Sequence, residues 1–184
     1  SWGRCLRNKY LDSRFRGNDG LKMIAPCTEA QTPEIHTIVN DAAQAYRGHV
    51  PDDCLHEPYM SEPELRGEIA ARVRFFGWFE DGELLGVMGI QDVQDVTLVR
   101  HAYVATHARR GGIGGKLLQH LLALTERPLL VGTWRAATWA VDFYARHGFR
   151  LVDEAEKSAL LRKYWSISER QNETSVVLRY ALTA

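Results

Sequence analysis

From residue 23 onward the hydrophobic positions fall into alternating strand-like runs and helical stripes, separated by Gly, Pro and Asp turn signals. IAPCT (24–28) predicts a first strand. Thr32-Pro33 predicts a helix start, with Thr as N-cap and Pro at the first helical position. Ile35, Ile38, Val39, Ala42 and Tyr46 then keep helical spacing until Gly48. Residues 48–60, GHVPDDCLHEPYM, predict a loop. Ser61 and Glu64 form a capping-box pattern before a second helix, whose apolar stripe is Leu65, Ile69, Val73 and Phe76.

A hairpin follows: FGWFE, the turn pair Asp81-Gly82, then ELLGVMGIQDV. Asp-Gly between apolar runs favours the type I′ turn that suits strand twist. VTLVRHAYV (96–104) predicts the next strand. A glycine-rich stretch leads into a helix with Ile113, Leu117, Leu121 and Leu124 on one face, stopped by Pro128. LLVGTW (129–134) reads as a short buried strand. Ala136, Ala140, Phe143 and His147 mark a further helix that Gly148 closes. FRLV predicts a strand, EAEKSALLRKYW a helix, and SVVLRYAL a last strand that can pair within the chain or across a homodimer. The order β-α-α-β-β-β-α-β-α-β-α-β predicts an α/β domain (an α+β mixed sheet) with helices on both faces.

Charge modifies this picture at one end only. The 184 residues carry 23 basic and 23 acidic side chains. Residues 1–22 hold six Lys/Arg against two Asp/Glu, which leaves 23–184 mildly acidic. That balance argues against nucleic acid as a partner and suits a small-molecule enzyme. The segment 1–22 lacks apolar periodicity and reads as a basic flexible tail, or as the product of a start set upstream of Met23, ahead of a single domain over 23–184. Three cysteines without close spacing, Cys5, Cys27 and Cys54, predict neither a disulfide framework nor a metal site. No apolar run reaches the roughly 18 residues of a membrane span. The expectation is a reduced, cytoplasmic protein with no membrane association.

The stretch with most chemical content is HAYVATHARRGGIGGKLL (101–118). Glycines at the mouth of a helix let a ligand press on main-chain N–H groups that lack helical partners, and the helix dipole favours an anion there. A phosphate is the common ligand of such a site. Leu117 after Lys116 excludes the Walker pattern, because no hydroxyl is placed for magnesium. Glycines at 111, 112, 114 and 115 do not make G-x-G-x-x-G either.

Arg109, Gly112 and Gly114 do match R-x-x-G-x-G, and AVDFYARHGFRLV carries Ala140, Tyr144, Gly148 and Phe149 as A-x-x-x-Y-x-x-x-G-F. With Val104 as a strand end five residues before Arg109, the chain resembles the GNAT superfamily of acyl-CoA-dependent N-acyltransferases. Its C-terminal stretch LLRKYWSISERQNETSVVLRY resembles a branch of small bacterial members. The resemblance implies about seven strands, with a V-shaped splay between strands four and five that holds acetyl-CoA as co-substrate. Main-chain groups of Ala102, Tyr103 and Val104 would bind the pantetheine arm. N–H groups of Arg110, Gly111, Gly112, Ile113, Gly114 and Gly115 would hold the diphosphate, with Arg109 adding charge.

For amine acetylation the amine must be neutral, the thioester carbonyl polarised and the leaving thiolate protonated. The resemblance makes Tyr144 the proton donor; the alternative is a core tyrosine at helical spacing. Family members often carry a Glu four residues before the strand-end valine, where this chain has Arg100. His101 is the nearest titratable candidate for the base, although strand alternation sets it on the face opposite Arg100. Ala137 replaces an Asn that many relatives use on pantetheine. Tyr46, His56, Tyr59, Trp134 and Trp165 are candidates for an aromatic acceptor pocket, with Asp53 and Glu57 as attractors of a cationic amine. The function expected is acetyl transfer to a primary amine, of a small molecule or a protein. The alternative is a catalytically idle acyl-CoA-binding sensor.

Overall fold

A computed structural model describes residues 20–181. The tail expected over 1–22, apart from its last three residues, and Cys5 therefore lie outside the described residues. Seven strands form one sheet: β1 (Lys22–Pro26), β2 (Arg74–Glu80), β3 (Glu83–Val93), β4 (Val96–Val104), β5 (Leu129–Trp134), β6 (Phe149–Leu151) and β7 (Ser175–Tyr180). Their order is β1-β2-β3-β4-β5-β7-β6. Only β4 and β5 run parallel; the other neighbours are antiparallel. β7 is paired within the chain on both sides, to β5 and to β6.

The helices are α1 (Thr32–Ala43), α2 (Glu62–Ala70), α3 (Ile113–Leu122), α4 (Thr138–Arg146), α5 (Glu154–Tyr164) and α6 (Glu169–Thr174). α3 and α4 cover one face, where Ile113, Leu117, Leu121 and Tyr144 meet Met88, Ile90 and Val99. α1 and α2 cover the other, with Ile35, Val39 and Leu65 against Phe75 and Val87. α5 extends that second layer over Leu98, Leu130 and Val177.

Local chemistry accounts for most boundaries. Asp81 and Gly82 both take positive φ, 52° and 86°, as a type I′ turn demands. Ser61 accepts the N–H of Glu64, whose carboxylate accepts the N–H of Ser61 in return. Gly148, at φ 89°, follows α4 in the left-handed conformation.

Three expectations are corrected. α1 begins one residue before Pro33, after a 3-10 turn over Glu29–Gln31 whose cap is Thr28 rather than Thr32. α2 stops at Ala70, because Arg72 adopts φ 70° and the N–H groups of Arg72 and Val73 bond back to Ile69 and Glu68. Val73 is therefore buried beside the sheet, while Ile69 stays at the surface. α3 ends at Leu122, so Leu124 falls off its apolar stripe and is exposed.

β4 is where the fold builds its site. It pairs with β5 only through Thr97, Leu98 and Val99, opposite Leu129, Leu130 and Val131. Beyond Val99 the two strands part, and β4 keeps only its β3 side paired. On that side the register slips: Val87 faces Tyr103 but Gly89 faces Arg100. β4 thus carries one extra residue, and His101 within the bulge has φ 51°.

Candidate active site

The parting of β4 and β5 opens two connected cavities. The larger, about 930 Å³, runs between the end of β4, the start of α3 and the length of α4. It is lined by Ala102, Tyr103 and Val104 on one side and by the loop from Arg109 to Gly115 on the other. Gly111 is the member of that loop that does not reach its wall. The smaller cavity, about 220 Å³, lies toward β5 and is lined by Tyr59, His101, Trp134 and Trp165. Tyr46, Ala102, Tyr103, Ala140 and Tyr144 border both.

The loop has the form of an anion cradle. Gly112 reaches φ 72°, which a side chain would resist, and turns the chain into α3. The first helical bond is Lys116 N–H to the Gly112 carbonyl at 3.1 Å, so the N–H groups ahead of it lack helical acceptors. A Cβ on Gly115 would sit 2.9 Å from Nε2 of His147, and one on Gly114 would be 3.4 Å from Phe143. The bare backbone is therefore what leaves the cavity floor in place. Arg110, Lys116 and Arg146 add positive charge to the same wall. Arg109 is turned inward, donating from Nη2 to the Ala42 carbonyl at 3.1 Å. Asp41 accepts the Thr106 N–H at 2.7 Å; that bond, with Arg109 and His107 close by, holds its carboxyl below the usual range. These contacts pin the loop to the end of α1.

Tyr144 is buried where the two cavities join, and its hydroxyl has no hydrogen-bond partner among the described residues. Burial, with Tyr46 nearby, pushes its phenol well above the usual tyrosine value, so it is protonated at neutral pH. Tyr103 and Tyr46 are pushed up in the same way, again first by burial. Rings of Tyr46, Tyr59 and Tyr103 lie 5.3 to 6.4 Å apart, and Trp134 donates its indole N–H to the Tyr59 hydroxyl at 3.2 Å. Trp165 lies against Gly132 at the far wall.

The bulge changes where His101 faces. The ring stacks on Phe75, and Nε2 lies 2.8 Å from Oε2 of Glu68. Arg100 donates to that same oxygen at 2.7 Å, and to Gln91 at 2.7 Å. Arg100 and His101 thus share a face instead of opposing one another, because the extra residue breaks strand alternation. Burial opposes ionisation of Glu68, but His101 and Arg100 outweigh it and hold the carboxyl below the usual carboxylate range.

The remaining candidates lie elsewhere. His56 borders neither cavity; its Nδ1 is 2.6 Å from the Pro58 carbonyl and its Nε2 is 3.7 Å from Glu64. Asp53 is paired with Arg170 and Glu57 with Arg47. Ala137 is fully buried. Two residues of consequence carry no sequence signal: Glu68, thirty-three positions from its partner, and Trp139, whose ring stacks on Tyr46 at the cavity edge.

A family profile described as an acetyltransferase (GNAT) domain matches residues 31–162. The chain belongs to the GNAT acetyltransferase family. Among curated proteins it is similar to the peptidyl-lysine N-acetyltransferase YiaC of Escherichia coli (strain K12), at 29% identity over 106 residues, 58% of this chain and 70% of that one. Among solved structures its fold is similar to the PaiA N-acetyltransferase of Thermoplasma acidophilum in complex with coenzyme A. That match has a TM-score of 0.66 and 15% identity, covering 86% of this chain and 98% of the other. The ribosomal-protein-S18-alanine N-acetyltransferase of Escherichia coli matches at a TM-score of 0.62 and 15% identity, covering 89% and 97%.

Proposed function

We propose that the protein is an acetyl-CoA-dependent N-acetyltransferase acting on a primary amine, of a protein or of a small molecule. The observation that carries the reading is the long cavity joining an anion cradle at α3 to Tyr144 and to an aromatic pocket beyond it. The cradle suits the diphosphate of coenzyme A, and the unpaired edge of β4 from Arg100 to Val104 suits an extended pantetheine arm. When bound, acetyl-CoA supplies the acyl group as a thioester. A main-chain N–H near Val104 polarises its carbonyl, and the Tyr144 hydroxyl gives a proton to the departing sulfur. His101, in the wall of the smaller cavity, takes the proton that the amine must lose. Tyr46, Tyr59, Trp134 and Trp165 form the acceptor's surroundings. The name of the curated relative, a peptidyl-lysine N-acetyltransferase, supports a protein amine as acceptor.

No helix among the described residues is long and apolar enough to cross a membrane. A cytoplasmic setting is proposed on the odd number of cysteines in the sequence and their lack of close spacing.

The test has two stages. Acetyl-CoA and coenzyme A are titrated against thermal unfolding, which must rise with ligand if the native state binds them. Thiol release is then followed with a peptide bearing a free N-terminal alanine, a peptide with one internal lysine, and a small alkylamine. Stabilisation with turnover supports the enzyme; stabilisation without turnover on any amine identifies an acyl-CoA sensor. No stabilisation overturns both.

A further inference from the structure

The extra residue in β4 is the unusual feature of this site. A histidine with φ 51° inside a strand is held there against its own preference. The bulge brings His101 onto the face of Arg100, where a carboxylate from another element waits for both. Glu68 stands near the end of α2, and its carbonyl accepts the Val73 N–H in the turn that closes that helix. Its backbone is thus fixed before its side chain is used.

We propose that Glu68 is the positioning residue for proton removal, binding Nε2–H of His101 so that Nδ1 is left as the lone pair that takes the proton of the incoming amine. This rests on the N-acetyltransferase reading. Three observations carry it. The 2.8 Å contact joins Nε2 to an oxygen that Arg100 also holds, which favours an ionised carboxylate and a proton on Nε2. Nδ1 has no partner among the described residues, yet it is not among their buried, unpartnered side-chain atoms, so solvent reaches it. The same residue lines the cavity that also holds Tyr144.

An ammonium acceptor gives one proton to Nδ1, and the resulting imidazolium is stabilised by Glu68. The neutral nitrogen forms the C–N bond as the C–S bond breaks. The sulfur receives a proton from Tyr144, which recovers one from the second N–H of the nitrogen. His101 returns its proton to water, so one proton is released per amide formed.

The charged or polar groups facing His101 are Glu68 from α2, Arg100 from β4 itself and, through Arg100, Gln91 from β3; Phe75 of β2 supplies an apolar face. Glu68→Gln removes the negative charge and keeps the shape. It is expected to lower kcat by roughly ten- to a hundredfold while KM for acetyl-CoA stays within about twofold. Glu68→Asp restores part of the rate. A Glu68→Gln enzyme that keeps the wild-type kcat, or that loses kcat only with a matching rise in KM for acetyl-CoA, overturns the proposal, since a merely structural loss would disturb both.

The second measurement needs neither a variant nor turnover. Nitrogen-15 shifts of the His101 ring in the full chain are expected to show the proton on Nε2; a proton on Nδ1 overturns the proposal. If the wild-type chain releases no thiol with any of the three amines, the acyltransferase reading fails and takes the proton-removal role with it. If thiol is released but the proton sits on Nδ1, only the role of Glu68 fails.

Discussion

Trp139 stacks on Tyr46 with ring centres 6.1 Å apart and planes 24° from parallel. The pair joins the start of α4 to the turn after α1 across the edge of the larger cavity. His49 meets the indole edge-on at 5.1 Å, and Tyr103 meets Tyr46 edge-on at 6.4 Å. Elements separated by almost a hundred residues therefore close over the proposed cofactor groove through ring contacts.

Truncating that contact should weaken cofactor binding more than folding. An aromatic pair is worth about 0.5–1.5 kcal/mol beyond its area, or roughly two- to tenfold in affinity. Trp139→Ala is expected to raise Kd for acetyl-CoA by that factor, measured calorimetrically. Because the indole is 40% exposed, the unfolding midpoint should change little. An unchanged Kd would mean the stack does not bear on the groove.

Two glycines with free space around them should respond in opposite directions. An added Cβ meets nothing within 4 Å at Gly67 or at Gly112. Gly67 lies inside α2, so Gly67→Ala gains about 0.8–1 kcal/mol of helix propensity. Gly112 has φ 72°, and Gly112→Ala costs about 1–2 kcal/mol in the left-handed region. Chemical denaturation of the two variants reads both signs. If Gly112→Ala is neutral, the backbone before α3 is free to choose another conformation and the cradle is not preformed.

How far the sequence reaches depends on whether the cause is local. The strands over 83–93, 96–104 and 129–134 have the bounds their patterns predict, because alternation and two-residue turn chemistry act between neighbours. The glycine-rich turn into α3 is legible for the same reason. The end of α2 was not: Val73 and Phe76 continue a helical stripe on paper, and Arg72 at φ 70° carries none of the glycine signal that usually marks such a stop. α6 was missed because ERQNET has no apolar stripe, although Ser168 and Gln171 form a capping box ahead of it. The bulge at His101 arises from pairing with β3, so alternation along β4 alone gave the wrong face. Glu68 follows from that bulge and could not be found without it.

Acid should loosen the contact between α5 and the loop ahead of α4. Arg135 and Lys157 hold the Glu154 carboxyl at about 2 in the folded chain, against 4.5 for a free glutamate. A depressed folded value adds stability that is complete above the unfolded value and lost as pH falls from about 5 toward 2. Lys157 itself is buried, donating to Glu154 at 2.5 Å and to the Asn172 carbonyl at 2.9 Å, so it keeps one partner when Glu154 is protonated. Melting temperatures of Glu154→Gln should therefore fall less steeply over that range than those of the wild type. Because Glu154 is exposed, salt should narrow the difference. Parallel pH curves for the two proteins would show that the bridge contributes nothing measurable.

Cys27 offers a test of packing at the first strand. Its thiol is pushed up to about 12, chiefly by burial and then by the charge of Glu34. The thiolate is the reactive form, so at pH 8 the native protein holds almost none of it at this position. The sulfur also sits 3.0 Å from where a Cβ on Gly77 would stand, wedged against β2. Iodoacetamide applied to the native protein at pH 8 is expected to leave Cys27 unmodified for as long as the fold persists. In denaturant the same residue should be labelled completely, as peptide mass spectrometry would read. Labelling of Cys27 without denaturant, at a rate near that of a free thiol, would mean that β1 opens from β2 in the native state and that burial there is transient.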